Sequence, residues 1–318
     1  LISAHEAAAA SAGGLALALP PERAIVQSRL LTVVLKGGPG AFEEIRVSVN
    51  DMKQAVAPRS FKQNTACYEG IRLSPGMNTI RIAGFKKGKK IEEITTQVFF
   101  YSELSDNSRG APAGFKKYSF HVGGNEKKCA SCHALDFSKA ADQQEPARSP
   151  CYQCHKKILS EFTVLHPPAA EWSCLMCHDG KAKNPKLAVA EPDDKSCSNC
   201  HDTSWGGKKY LHAPTAAGAC TTCHNPHAAD RPYVLRKETV DLCASCHAEI
   251  LLQPHVIAGF SGNGGHPLKK SPDPFNPAKD FTCASCHNPH ASNSEALLEG
   301  FDDSMSMKQF CLSCHKNF

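Results

Sequence analysis

The stretch LHAPTAAGACTTCHNPHAADRPYVLRKETVDLCASCH (residues 211–247) decides how the larger part of this chain is built. It holds two copies of Cys-x-x-Cys-His, opening at Cys220 and Cys243, and a leading histidine, His212, eight residues before the first. Outward from it, the same motif opens at Cys129, Cys151, Cys174, Cys197, Cys283 and Cys311. The first six copies begin 22, 23, 23, 23 and 23 residues apart, and the last two gaps widen to 40 and 28. A fixed period marks a repeated structural unit. The unit is a leading His, a spacer, CxxCH, a second spacer and CxxCH. It occurs four times, at 121–155, 166–201, 212–247 and 266–315, led by His121, His166, His212 and His266.

CxxCH is the attachment signature of c-type haem. Zinc sites and redox disulfides also use CxxC, but neither needs a histidine after every copy. The expected thioether cysteines are Cys129, Cys132, Cys151, Cys154, Cys174, Cys177, Cys197, Cys200, Cys220, Cys223, Cys243, Cys246, Cys283, Cys286, Cys311 and Cys314. The expected proximal iron ligands are His133, His155, His178, His201, His224, His247, His287 and His315. Eight haems are therefore expected, in a domain at 121–318 with little regular secondary structure. Short helices and loops would surround stacked haems, which supply the buried surface that the side chains lack.

The chain has 16 histidines, so eight remain: His5, His121, His166, His212, His227, His255, His266 and His290. Eight irons and eight spare imidazoles predict bis-His ligation. His227 and His290 lie three residues after a proximal His, too close to reach the far face of the same haem, and are expected to serve neighbouring haems. His5 stands apart, either in a tail or completing an eighth haem in its own or a neighbouring subunit. Met176, Met305, Met307, Met52 and Met77 are weaker axial candidates, which would raise a potential relative to bis-His. Bis-His iron has no open position, so no catalytic residue is assigned and the chain is expected not to be an enzyme.

The repeats resemble the doubled-CXXCH family of multihaem cytochromes. The likeness is strong at 212–247 and 266–315, and weaker at 121–201, where CHALD and CHDGK replace CHNPH. It implies an exported protein, extracellular or on the cell surface, that passes electrons to other redox proteins and extracellular acceptors. Cytochrome filaments of this kind share axial histidines between subunits, so a homopolymer is implied. A soluble periplasmic shuttle is the alternative. A multihaem reductase of small nitrogen or sulfur oxyanions is a further one, disfavoured because every motif ends in His.

The first third reads differently. Residues 21–104 hold alternating apolar runs, with 24–35 and 91–101 read as strands and Asn50-Asp51, Ser74-Pro75-Gly76 and Lys87-Gly88-Lys89 as turns. An antiparallel sandwich is expected. The run LSPGMNTIRIAGF resembles bacterial Ig-like modules, which makes the fold an N-terminal all-β Ig-like sandwich. Residues 1–20 read as a flexible arm. Within it, 7–19 faintly resemble a signal-peptide core that no basic stretch precedes. Residues 105–120 read as a linker. Cys67, the one cysteine outside the motifs, reads as a buried thiol, with an intermolecular disulfide or an unusual haem ligand as alternatives. The formal charge of +5 belongs to the bare chain, and haem propionates would make the whole acidic. Nucleic-acid binding is therefore not expected, and Lys86, Lys87, Lys89 and Lys90 read as a solvated hairpin tip. No apolar run is long enough to span a membrane.

Overall fold

A computed structural model describes residues 14–37, 42–54, 61–62, 65–102, 104, 110–130, 135, 149–183, 186–252, 266, 268, 271–301 and 304–316. The chain divides into two compact units, Leu1–Ile158 with Gly180–Leu187, and Leu159–Asp179 with Ala188–Phe318.

The first unit is strand-rich. β1 (Leu15–Leu19), β3 (Leu30–Gly37), β7 (Thr65–Arg72) and β6 (Phe61–Lys62) form a four-stranded sheet in the order β1-β3-β7-β6. A six-stranded sheet runs β10-β2-β9-β8-β4-β5. Its strands are β2 (Ala24–Val26), β4 (Glu44–Val49), β5 (Met52–Gln54), β8 (Gly76–Lys86), β9 (Lys89–Phe100) and β10 (Lys116–Lys117). Val33, Leu35, Tyr68 and Ile71 of the first sheet share one core with Val47, Ile80, Ile82 and Val98 of the second. Buried residues alternate with more exposed ones along β2, β4 and the Met77–Ile82 part of β8, as the pleat requires.

The structure differs from the sequence reading in several places. Residues 24–35 are two strands in two sheets, because the Ser28 hydroxyl donates to Leu30 O and accepts from Leu30 N, turning the chain between them. The six-stranded sheet is mixed, since β2 pairs parallel with both β9 and β10. Leu15–Leu19, inside the stretch read as an arm, forms β1, with Leu15 and Leu19 buried. The Asn50-Asp51 and Lys87-Gly88 pairs have positive φ at both positions, which matches the right-handed strand twist of two-residue hairpins. Lys86, Lys87, Lys89 and Lys90 are exposed at the second tip. Cys67 is half-buried rather than buried, on the opposite face of β7 from Ala66 and Tyr68.

The turn before β8 is built by one side chain. Asn78, fully buried, donates to Ser74 O at 2.7 Å and Gly76 O at 2.9 Å and accepts from Ser74 N at 2.9 Å. Asn78→Ala removes the partner of three backbone groups in the turn and leaves a cavity at a fully buried position. It should cost about 2 kcal/mol, seen as a lower unfolding midpoint of the sheet region in denaturant.

α1 (Gly123–Cys129) and α2 (Tyr152–His155) complete the described part of this unit's haem-motif segment. The second unit holds only short helical turns and two-residue strands. β11 (Val164–Leu165) pairs with β13 (Ala228–Ala229), and β12 (Tyr210–Leu211) with β14 (Ala291–Ser292). Its buried apolar residues are few, among them Trp172, Ala228, Val240 and Phe281. Met176, Leu211, Tyr233, Leu252, Phe275 and Met307 are exposed. Among the described residues no helix is long and apolar enough to cross a membrane.

Candidate haem sites

Each described motif is one helical turn. The His N–H donates to the carbonyl of the first Cys, from His155 to Cys151 at 2.9 Å through to His315 and Cys311 at 3.0 Å. Positions i, i+3 and i+4 share one face of such a turn, so two thiols and one imidazole present together. In the last three repeats the first motif is a 3-10 turn (Cys174–Met176, Cys220–Thr222, Cys283–Ser285). The second motif is reached from the end of an α-helix (Asp194–Cys197, Thr239–Cys243, Met307–Leu312). None of the described cysteines is in a disulfide. Cys132, His133, His5 and His255 lie outside the described residues.

The histidines form six pairs of nearly parallel rings. His121 faces His155 at 6.1 Å between centroids, with 35° between the planes. The others are His166 and His201 (6.1 Å, 19°), His178 and His227 (6.2 Å, 5°), His212 and His247 (6.1 Å, 28°), His224 and His290 (6.0 Å, 18°), and His266 and His315 (5.9 Å, 28°). One such pair would be an ordinary aromatic contact. Here every pair joins one motif histidine to one spare histidine at nearly one distance. A metal ion bound by one nitrogen of each ring needs about 2 Å on either side plus about 1.1 Å from nitrogen to ring centre, or about 6.2 Å between centres.

The pairs obey a register. In all four repeats the leading histidine faces the second motif's histidine: His121 with His155, His166 with His201, His212 with His247, His266 with His315. The CHNPH histidine faces the first motif of the preceding repeat: His227 with His178, and His290 with His224. Two short ladders set this up. His166 N–H donates to His227 O at 3.0 Å, and His212 N–H to His290 O at 2.9 Å, so two spare imidazoles sit side by side on adjacent strands.

Nδ1–H groups fix the ring orientations. His166 donates to Pro226 O (2.9 Å), His212 to Pro289 O (3.0 Å), His224 to Tyr233 O (2.7 Å) and His287 to Ala296 O (2.7 Å). Each leaves Nε2 with its lone pair for a metal. His121 differs from these four in using a side chain, Glu126 Oε1 at 3.3 Å, and Glu126 Oε2 accepts from Lys186 Nζ at 2.5 Å. Burial alone would raise the Glu126 carboxyl, but hydrogen bonds from Lys186 and His121 outweigh it and hold it below the ordinary carboxylate value. Burial pushes the His290 imidazole down, with His224 and His212 adding to the shift, which favours the neutral ligand form. Trp205 stacks on His290 at 4.7 Å and 15°. Nothing in the motif spacing announces Glu126 or Trp205.

The thiols give neighbour relations. Cys197 is pushed up to about 12 by burial, with Cys220 beside it and hydrogen-bonded to it. The Cys243 thiol is raised by a hydrogen bond with Cys283 and then by burial. Burial also raises Cys223 and Cys286, next to Cys246 and Cys314 respectively. From the motif of Cys174 onward, the described thiols of consecutive motifs are thus neighbours in space. The buried Tyr118 hydroxyl, close to Cys129, has no hydrogen-bond partner among the described residues. Paired imidazoles, thiols in threes-and-fours spacing, an orphaned hydroxyl and exposed apolar side chains together fit covalent haem.

A family model described as "Doubled CXXCH motif" matches residues 166–204, 212–251 and 276–318. The second repeat, read as the weaker likeness, is thus among those matched. No curated protein matches the chain. Similar solved structures include an endo-beta-1,4-mannanase from Thermotoga petrophila (13% identity, 27% of this chain and 19% of that one, TM-score 0.24). Others are a beta-galactosidase from Bacteroides fragilis (17%, 27% and 12%, TM-score 0.23) and the Lin-41 filamin domain (13%, 28% and 94%, TM-score 0.21). The chain spans less than a fifth of the length of the first two. Residues 166–318 thus carry the doubled CXXCH motif of multihaem c-type cytochromes.

Proposed function

We propose that this chain is a conduit of extracellular respiration. Eight c-type haems, each held by two histidines, would carry electrons along its C-terminal part to other redox proteins and extracellular acceptors, and copies would polymerise into a conductive filament. The observation that carries this reading is the set of six histidine pairs at 5.9–6.2 Å. An imidazole on each face leaves no iron position for substrate, which favours transfer over a reductase. When bound, haem supplies a one-electron couple, and two nitrogen donors favour its ferric state. The chain's residues space the sites: the first six motifs lie about 23 residues apart, and thiols touch between motifs at Cys197 and Cys220 and at Cys243 and Cys283, which leaves little room for a polypeptide wall there.

The remaining ligands are assigned by elimination. Lys181 stands where a CHNPH histidine of the second repeat would serve the haem of His133. That haem takes His5 in this reading, from its own chain or the next copy, and the haem of His287 takes His255. His5→Ala should then turn one haem high-spin ferric in low-temperature EPR of the holoprotein, and an unchanged spectrum removes His5 from the ligand set. Electron microscopy of the secreted fraction tests the rest. Wires with an axial repeat of one subunit are expected, and a monomer confined to the periplasm would favour the shuttle instead.

A further inference from the structure

The second-repeat and third-repeat leading histidines share one kind of Nδ1 partner, a backbone carbonyl (Pro226, Pro289). The motif histidines His224 and His287 also donate to carbonyls (Tyr233, Ala296). His121 departs from all four, with the carboxylate Glu126 at 3.3 Å. The repeat explains the departure. The carbonyl acceptor in the later repeats belongs to the proline of CHNPH in the following repeat, and the second repeat reads CHDGK, with no proline there. Glu126 sits on α1, three residues before Cys129, and is 7% exposed. Its second oxygen is held by Lys186.

A carbonyl offers a partial charge, and a carboxylate offers a full one. A carboxylate accepting from Nδ1–H draws the proton toward itself and makes the other ring nitrogen a stronger donor. A stronger donor stabilises ferric over ferrous iron, and hydrogen bonding around the ligands is one of the protein's levers on haem potential. Burial strengthens the effect, because little water screens the charge. Lys186 opposes it by competing for the same carboxylate.

We infer that Glu126 is a positioning residue that makes the potential of the haem of His121 and His155 more negative than a carbonyl partner would, with Lys186 setting how far. This rests on bis-His ligation of that haem.

The test is a spectroelectrochemical titration of the full holoprotein, with EPR on the same samples. In Glu126→Gln one component of the titration, one haem in eight, should move positive while the rest of the curve holds. In Lys186→Met the same component should move further negative. Opposite shifts in one component support the inference, since a merely structural role gives no change of sign. Shifts in the same direction, or none, overturn it, and Lys186→Met decides alone if Glu126→Gln yields no holoprotein. High-spin iron at this haem in the wild type would instead mean that bis-His ligation fails, a result visible before either variant is made.

Discussion

Changing His227 to alanine will leave the haem of its own motif, on Cys220 and Cys223, six-coordinate, and will open the haem on Cys174 and Cys177. The sign of this result is unusual, because His227 is three residues from His224 and 49 positions from His178 (178 to 227). Yet its ring lies 6.2 Å from His178 at 5° between planes, while His224 faces His290. One haem in eight should become high-spin and bind carbon monoxide, with stoichiometry of one per chain. Mapping the carbon monoxide-binding haem to the peptide that holds it checks the register. If the opened haem maps to Cys220 and Cys223, the pairing proposed here is wrong. His290→Ala should act in parallel, opening the haem on Cys220 and Cys223. Both variants interrupt the relay at one site, so transfer from end to end should fall by far more than one eighth.

Expressing the chain without haem attachment should unfold the second unit while the two sheets survive. Residues of the sheets supply a large shared core, with Val33, Leu35, Tyr68, Ile71, Ile80, Ile82 and Val98 each fully buried. Among its described residues the second unit has no comparable cluster, and large apolar side chains such as Leu252 and Phe275 face outward. Apolar burial stabilises by about 25 cal/mol per Å², and without macrocycles this unit has too little of it to offset the entropy of ordering its backbone. Metal-dependent small domains fold on the same logic. Limited proteolysis of the haem-free chain should erase the segment beyond Leu159 and leave a resistant fragment carrying β1 to β9. A protease-resistant C-terminal segment without haem would contradict the proposal that cofactors form its core.

Parts of the fold were legible because their physics is local. The hairpin turns at Asn50-Asp51 and Lys87-Gly88 were read from residue type, since positive φ is tolerated by few residues. The split of residues 24–35 was not, because an apolar run of that length looks like one strand, and only the Ser28 turn and the second sheet divide it. Parallel pairing of β2 with β9 was also invisible, as it depends on a partner more than 70 residues away (Ala24 to Val98). Among site residues, Glu126 and Trp205 carry no motif. Their roles arise from which histidine the fold brings beside them.

The amino-acid order alone determined where haem attaches, because two thiols and an imidazole at i, i+3 and i+4 meet within a single hydrogen-bonded turn. It also determined the stock of histidines from which the opposite ligands are drawn. Only the tertiary structure decided which histidine faces which motif. The paired rings come from positions as far apart as 224 and 290, and two-residue ladders between different repeats bring them to one spacing. A local turn encodes one side of each site, and the meeting of distant strands encodes the other.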